Sequence, residues 1–146
     1  MKRFVAILLL AGCALVASAK DTGPEILYKM TCAVLADEMD LRKPCKGVPA
    51  PLPVISHIVE DHKWNTLEVK LKGLHYRNEP YIFIRPGMPD MDAVYVHETV
   101  HYILYNILPD MSHCGSERLA RKVTDSYLGV DYTADWEKLY GCEGVS

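Results

Sequence analysis

The chain has 146 residues, with 16 Lys+Arg against 19 Asp+Glu, a formal net charge of −3, and 49% hydrophobic residues. That length suits one domain with a modest core. No block of basic residues marks a nucleic-acid or anionic-membrane surface, so those partners are excluded.

Residues 1–19 read as a secretory signal peptide. Met1-Lys2-Arg3 is a basic start, Phe4 to Val16 is an apolar run too short to span a bilayer comfortably, and Ala17-Ser18-Ala19 is an A-x-A cleavage site before Lys20. The folded domain is then expected over residues 20–146, in a secreted or periplasmic protein. Loss of Lys2 and Arg3 leaves 14 basic against 19 acidic residues, a net of −5. Leu10-Ala11-Gly12-Cys13 resembles a bacterial lipobox, and cleavage before Cys13 would give a lipid-anchored protein instead. The apolar run continues past Cys13, which favours simple export. No later segment is long and apolar enough to cross a membrane.

Pro24 to Leu41 has Ile26, Leu27, Met30, Val34, Leu35 and Met39 at helical spacing, with Pro24 suited to a first turn. Arg42 to Pro53 holds Pro44, Gly47, Pro49, Pro51 and Pro53 and reads as an extended connector. Val54 to Val59 is a candidate short strand. Thr66 to Leu74 alternates Leu67, Val69 and Leu71 with Glu68, Lys70 and Lys72, the period-two pattern of a strand with one buried face. Gly73 to Asn78 is turn-like, and Tyr81 to Arg85 is a second strand ended by Pro86-Gly87. These two strands make an antiparallel hairpin with Tyr76 to Pro80 near its connection.

A helix is expected from Asp90, its N-cap, to Leu108, where Pro109 stops it. Ser116 is a second N-cap candidate. Glu117 to Leu128 follows as a helix packing through Leu119, Ala120, Val123 and Tyr127, with Gly129 at its C-terminal cap. Thr133 to Tyr140 is a last short helix anchored by Trp136 and Leu139. After signal removal four cysteines remain, an even number that suits pairing in an oxidising compartment. Three connectivities are open. Cys32–Cys45 with Cys114–Cys142 closes two local loops and is preferred.

Within the 90–108 helix stands His97-Glu98-Thr99-Val100-His101, an H-E-x-x-H motif. Residues four apart lie one above the other on a helix face, so both imidazoles can reach one metal ion. Glu98 is then positioned as general base for an activated water. A catalytic Zn2+ site needs a third protein ligand. Glu117 is the choice, because a turn after Pro109 brings the next helix back alongside the first. His113, Asp110 and Asp125 are its rivals, with Asp125 better suited to holding an imidazole N–H.

The H-E-x-x-H segment, the short loop and a helix opening with Glu117-Arg118-Leu119-Ala120 resemble the gluzincin metallopeptidases. They look most like small secreted bacterial H-E-x-x-H proteins of unknown function in which a Cys precedes the Glu, as Cys114 does here. The resemblance covers about Tyr81 to Leu128. It implies an α+β, minimal zincin-like domain: a short antiparallel sheet or hairpin, an active-site helix and a following ligand-bearing helix. It implies Zn2+ bound by His97, His101 and Glu117, with Glu98 catalysing hydrolysis of a peptide or protein substrate. It also suggests substrate pairing along Tyr81–Arg85. Tyr102, Tyr105 and Tyr127 are candidate oxyanion donors, and Arg85 a candidate reader of a substrate carboxylate. The alternative is a non-catalytic zinc-binding envelope or interaction protein, with or without a lipid anchor at Cys13.

Overall fold

The computed structural model describes residues 23–61, 71–129, 137 and 140–145. The signal peptide with Cys13, the segment Thr66–Lys70, and all of the expected 133–140 helix except Glu137 and Tyr140 lie outside these residues. The described chain is α+β, with three α-helices and one three-stranded sheet.

Helix α1 spans Gly23–Glu38. It stops three residues short of the expected Leu41 because the chain turns left-handed at Asp40 (φ 51°). There Leu41 N–H bonds the Ala36 carbonyl and Asp40 N–H that of Asp37, a Schellman closure with Asp in the place Gly usually fills. The proline-rich connector is then held at three points. Cys32–Cys45 bridges it to α1, with a Cα–Cα distance of 5.9 Å. Tyr28 donates its hydroxyl to the Val48 carbonyl, and Tyr95 donates to that of Pro51 at 2.7 Å. Burial pushes both phenols up to about 12.

The strands depart from expectation. β1 is Leu52–Ile55, inside the connector's end, and His57–Asp61 forms a 3-10 turn where the strand was expected to continue. Pro53 is tolerated because β1 is an edge strand. β2 is Gly73–His75, within the stretch expected to turn, and β3 is Tyr81–Ile84. The turn itself falls within the expected connection, Tyr76 to Pro80, where Asn78 adopts φ 72° and Glu79 N–H bonds the Tyr76 carbonyl. The β2–β3 hairpin is antiparallel, with Leu74 opposite Phe83, but β1 joins β3 in parallel, with Val54 opposite Phe83. The sheet is therefore mixed, in the order β1-β3-β2.

Helix α2 spans Met91–Ile107. Asp90 sits at its N-cap as expected, yet its side chain makes no capping bond. α2 is the centre of the domain and packs against α1, α3, β2 and β3. Val96, Val100, Ile103 and Leu104 are essentially inaccessible, joined in the core by Leu35, Ile82, Ile84, Ala120 and Val123. Each of these Val, Leu and Ile side chains contributes about 1.5–3 kcal/mol on burial. Helix α3 is His113–Leu128, one turn longer at its start than expected. Its N-cap is Ser112, whose hydroxyl accepts from Gly115 N–H at 3.1 Å, and Gly129 closes it at φ 66°. Cys114 bonds Cys142 from the first turn of this helix rather than from a loop. Arg118 reinforces the link, donating to Glu137 Oε1 at 2.9 Å and to the Cys142 carbonyl at 3.1 Å.

Candidate metal centre

Helical spacing stacks His97 and His101 on one face of α2, and their Nε2 atoms lie 3.2 Å apart. A short connector folds α3 back along α2, so Glu117 meets them. Its Oε1 is 3.1 Å from His101 Nε2 and its Oε2 3.5 Å from His97 Nε2. Glu117 shares the packing face of Ala120 and Val123 and is only 7% exposed. Among the described residues these three side chains form the one group of His, Cys, Asp and Glu able to hold a metal ion. His113, Asp110 and Asp125 are not part of it.

Two observations favour a cation at this point. A tetrahedral ion with bonds of about 2.0–2.1 Å sets its ligand atoms about 3.3–3.4 Å apart, close to the separations found here. Glu117 Oε2 is also buried without a hydrogen bond, its nearest charged or polar neighbours being His97 Nε2 and Arg121 Nε at 3.5 Å each, so a bound cation would complete its surroundings. Burial opposes ionisation of Glu117, but the neighbouring His101 and His97 outweigh it and hold the carboxyl well below the usual range. Arg121 adds charge, with Nε 3.5 Å from Oε2.

The longer α3 gives Ser116 a different task from the N-cap expected of it. It lies inside the helix, and its Oγ is 2.6 Å from His101 Nδ1. In the tautomer that leaves Nε2 open to a metal, Nδ1–H donates to this hydroxyl and fixes the ring. The role considered for Asp125 is filled, at His101, by Ser116.

Glu98 points to the other side, toward β2. Its Oε2 is 3.6 Å from Nδ1 of His75, whose ring also stacks on His101 at 6.1 Å between centroids. Burial raises the Glu98 carboxyl, but His75, His97 and His101 together bring it below its ordinary value. Gly73 makes this approach feasible. A Cβ at that position would stand 2.7 Å from both Glu98 Cγ and Val94 Cγ1. His75 and Gly73 carry no spacing signal linking them to the motif. The cue available in sequence was a His and a Gly, two apart, just before a strand.

Several expected roles change. β3 is the central strand, hydrogen-bonded on both sides, so a peptide cannot pair along Tyr81–Arg85. Arg85 is engaged by Glu60 at 3.8 Å. Tyr102 is buried in the core, whereas Tyr105 lines a cleft that opens beside His101, and Tyr127 lies near Asp92 at the start of α2. Tyr140 was not singled out as an oxyanion donor. Its ring lies 5.3 Å from the guanidinium of Arg121, itself beside Glu117.

No protein-family model matches the chain, and neither a curated protein nor a solved structure is significantly similar to it.

Proposed function

We propose that the mature chain is an exported zinc-dependent metallopeptidase, related in design to the gluzincins. The observation carrying this reading is the convergence of His97, His101 and Glu117 at coordination distances, with Glu98 on the same turn of α2. Two imidazoles and a carboxylate suit zinc, and three protein ligands leave a position open. When bound, the ion supplies a lowered pKa for water, toward about 7, and a polarised substrate carbonyl.

The chain's own groups do the rest. Glu98 accepts a proton from the attacking water and returns it to the leaving amine, as a general base and then a general acid. His75, 3.6 Å from the Glu98 carboxylate, orients it and favours its ionised form. Ser116 keeps His101 facing the ligand group. Export is supported by two disulfides and by the lack, among the described residues, of a helix long and apolar enough to cross a membrane.

Two measurements on the purified mature protein test the reading. Wild type is expected to hold one zinc per chain, and His97→Ala and Glu117→Ala to lose it. Wild type is expected to cleave members of a broad peptide library, and Glu98→Gln to keep zinc but lose cleavage. Absence of zinc from wild type refutes the metal centre. Full zinc without cleavage leaves a non-catalytic binding protein.

A further inference from the structure

Beside His101 the surface opens into a cleft between the β2–β3 turn and the α2–α3 connector. His75, Arg77, Tyr105 and His113 line it, with Leu104 and Met111 on its apolar wall, and among the described residues no carboxylate lines it. That lining contrasts with a chain whose formal net charge is −3. The guanidinium of Arg77 lies over the Tyr105 ring, 4.4 Å from its centroid. A ring contact of this kind takes up none of the guanidinium's N–H groups with a carboxylate, and a guanidinium's N–H fork suits a planar, two-oxygen acceptor. The other arginines near the site are already matched: Arg85 to Glu60, Arg118 to Glu137 and Arg121 to Glu117. Among the described residues no Asp or Glu pairs with Arg77.

We infer that this cleft is a subsite for a substrate carboxylate, with Arg77 on its Tyr105 platform as the reader. The position along the substrate follows from helix geometry. Tyr105 is four residues after His101, about 6 Å along the axis of α2. An extended peptide advances about 3.3–3.6 Å per residue, so the carboxylate belongs one or two residues from the bond cleaved. The favoured substrates are therefore acidic peptides, carrying either an Asp or Glu side chain or the chain's own C-terminal carboxylate at that place. The location of the scissile bond rests on the hydrolase reading above. The carboxylate subsite rests on Arg77, Tyr105 and the lining alone.

Paired peptides test this on the zinc-loaded mature chain. One series differs only by Glu against Gln one or two residues to either side of a fixed central bond. A second differs only by a C-terminal acid against an amide. Binding is read by fluorescence anisotropy on the Glu98→Gln variant, where turnover does not intervene, and kcat/KM on wild type. The acid member of at least one series is expected to bind about tenfold tighter, the effect of one charge-assisted contact, and the preference to shrink with added salt. Arg77→Gln should bring acid and neutral peptides level without loss of zinc, and Tyr105→Leu should act in the same direction. The series that shows the preference identifies the source of the carboxylate. Equal or undetectable binding of acid and neutral members, or a preference that survives Arg77→Gln, overturns the inference. An Arg77-dependent preference in binding with no peptide cleaved by wild type would retain the subsite and discard the hydrolase reading.

Discussion

Replacing Gly73 by alanine probes how closely the sheet is held against the candidate base. The added Cβ would lie 2.7 Å from Glu98 Cγ and from Val94 Cγ1, where ordinary contact begins near 3.4 Å. Val94 is buried in α2 and cannot swing away, so β2 must retreat or Glu98 must turn out of place. Overpacking of this kind costs about 1–3 kcal/mol. For a domain of this size that lowers Tm by about 3–15 °C. A catalytic group displaced by about 1 Å loses on the order of 100-fold in rate. All three residues of the candidate metal centre stand on α2 and α3, so zinc content should stay at the wild-type level. The assay is a thermal melt, a metal determination and peptide cleavage on the same preparations. Gly23→Ala is the control: nothing lies within 4 Å of its Cβ, and its Tm should hold. A Gly73→Ala protein with wild-type Tm and wild-type cleavage would refute the close approach. The melting arm stands independently of the proposed activity.

Other outcomes follow from the same geometry. Ser116→Ala frees Nδ1 of His101 and should weaken metal affinity about 10–100-fold with little change in Tm, as read by chelator competition. Removing the Cys114–Cys142 bridge, which closes a 28-residue separation, should cost about 3.5 kcal/mol in a denaturant melt. Zinc should nevertheless be kept, because Ala120 and Val123 hold α3 in the core without the bridge. At alkaline pH, Tyr28 and Tyr95 stay neutral in the folded state up to about 12 but ionise near 10 once unfolded. Their contribution is complete below pH 10 and is lost as pH rises toward 12, by about 1.4 kcal/mol per pH unit for each phenol. Urea melts from pH 9 to 11.5 should show this fall, and Tyr95→Phe should flatten it.

The helices were legible because each carries its own repeating apolar face. α2 and α3 could be drawn from Val94 to Leu104 and from Leu119 to Tyr127 without any knowledge of neighbours. Glu117 was legible for a related reason: it falls three residues before Ala120, on the face that must pack. The disulfide pairing was legible because both bridges close short, local loops. The sheet was not. β1 lies in a proline-rich stretch, and its parallel partner stands some thirty residues away. β2 has three residues, one of them glycine, and becomes a strand only because β3 supplies its hydrogen bonds. His75 and Arg77 escaped notice for the same reason, since tertiary pairing alone brings them to the motif. Ser116 was noticed but assigned the wrong work, because the cap lay four residues earlier at Ser112.

The three residues that meet at the metal centre fall within a 21-residue stretch, on two helices joined by a short connector. Glu98 finds its partner 23 residues upstream, on a strand that needs its own neighbour to exist. The helical pair and the β2–β3 hairpin each close a short loop on their own, and the contact between His75 and Glu98 joins the two units. Under the proposed function, the residues that would hold the ion need only α2 and α3. The proposed base needs a third element, β2, seated on α2 as well, so a loosened strand would spare the ion and silence the chemistry.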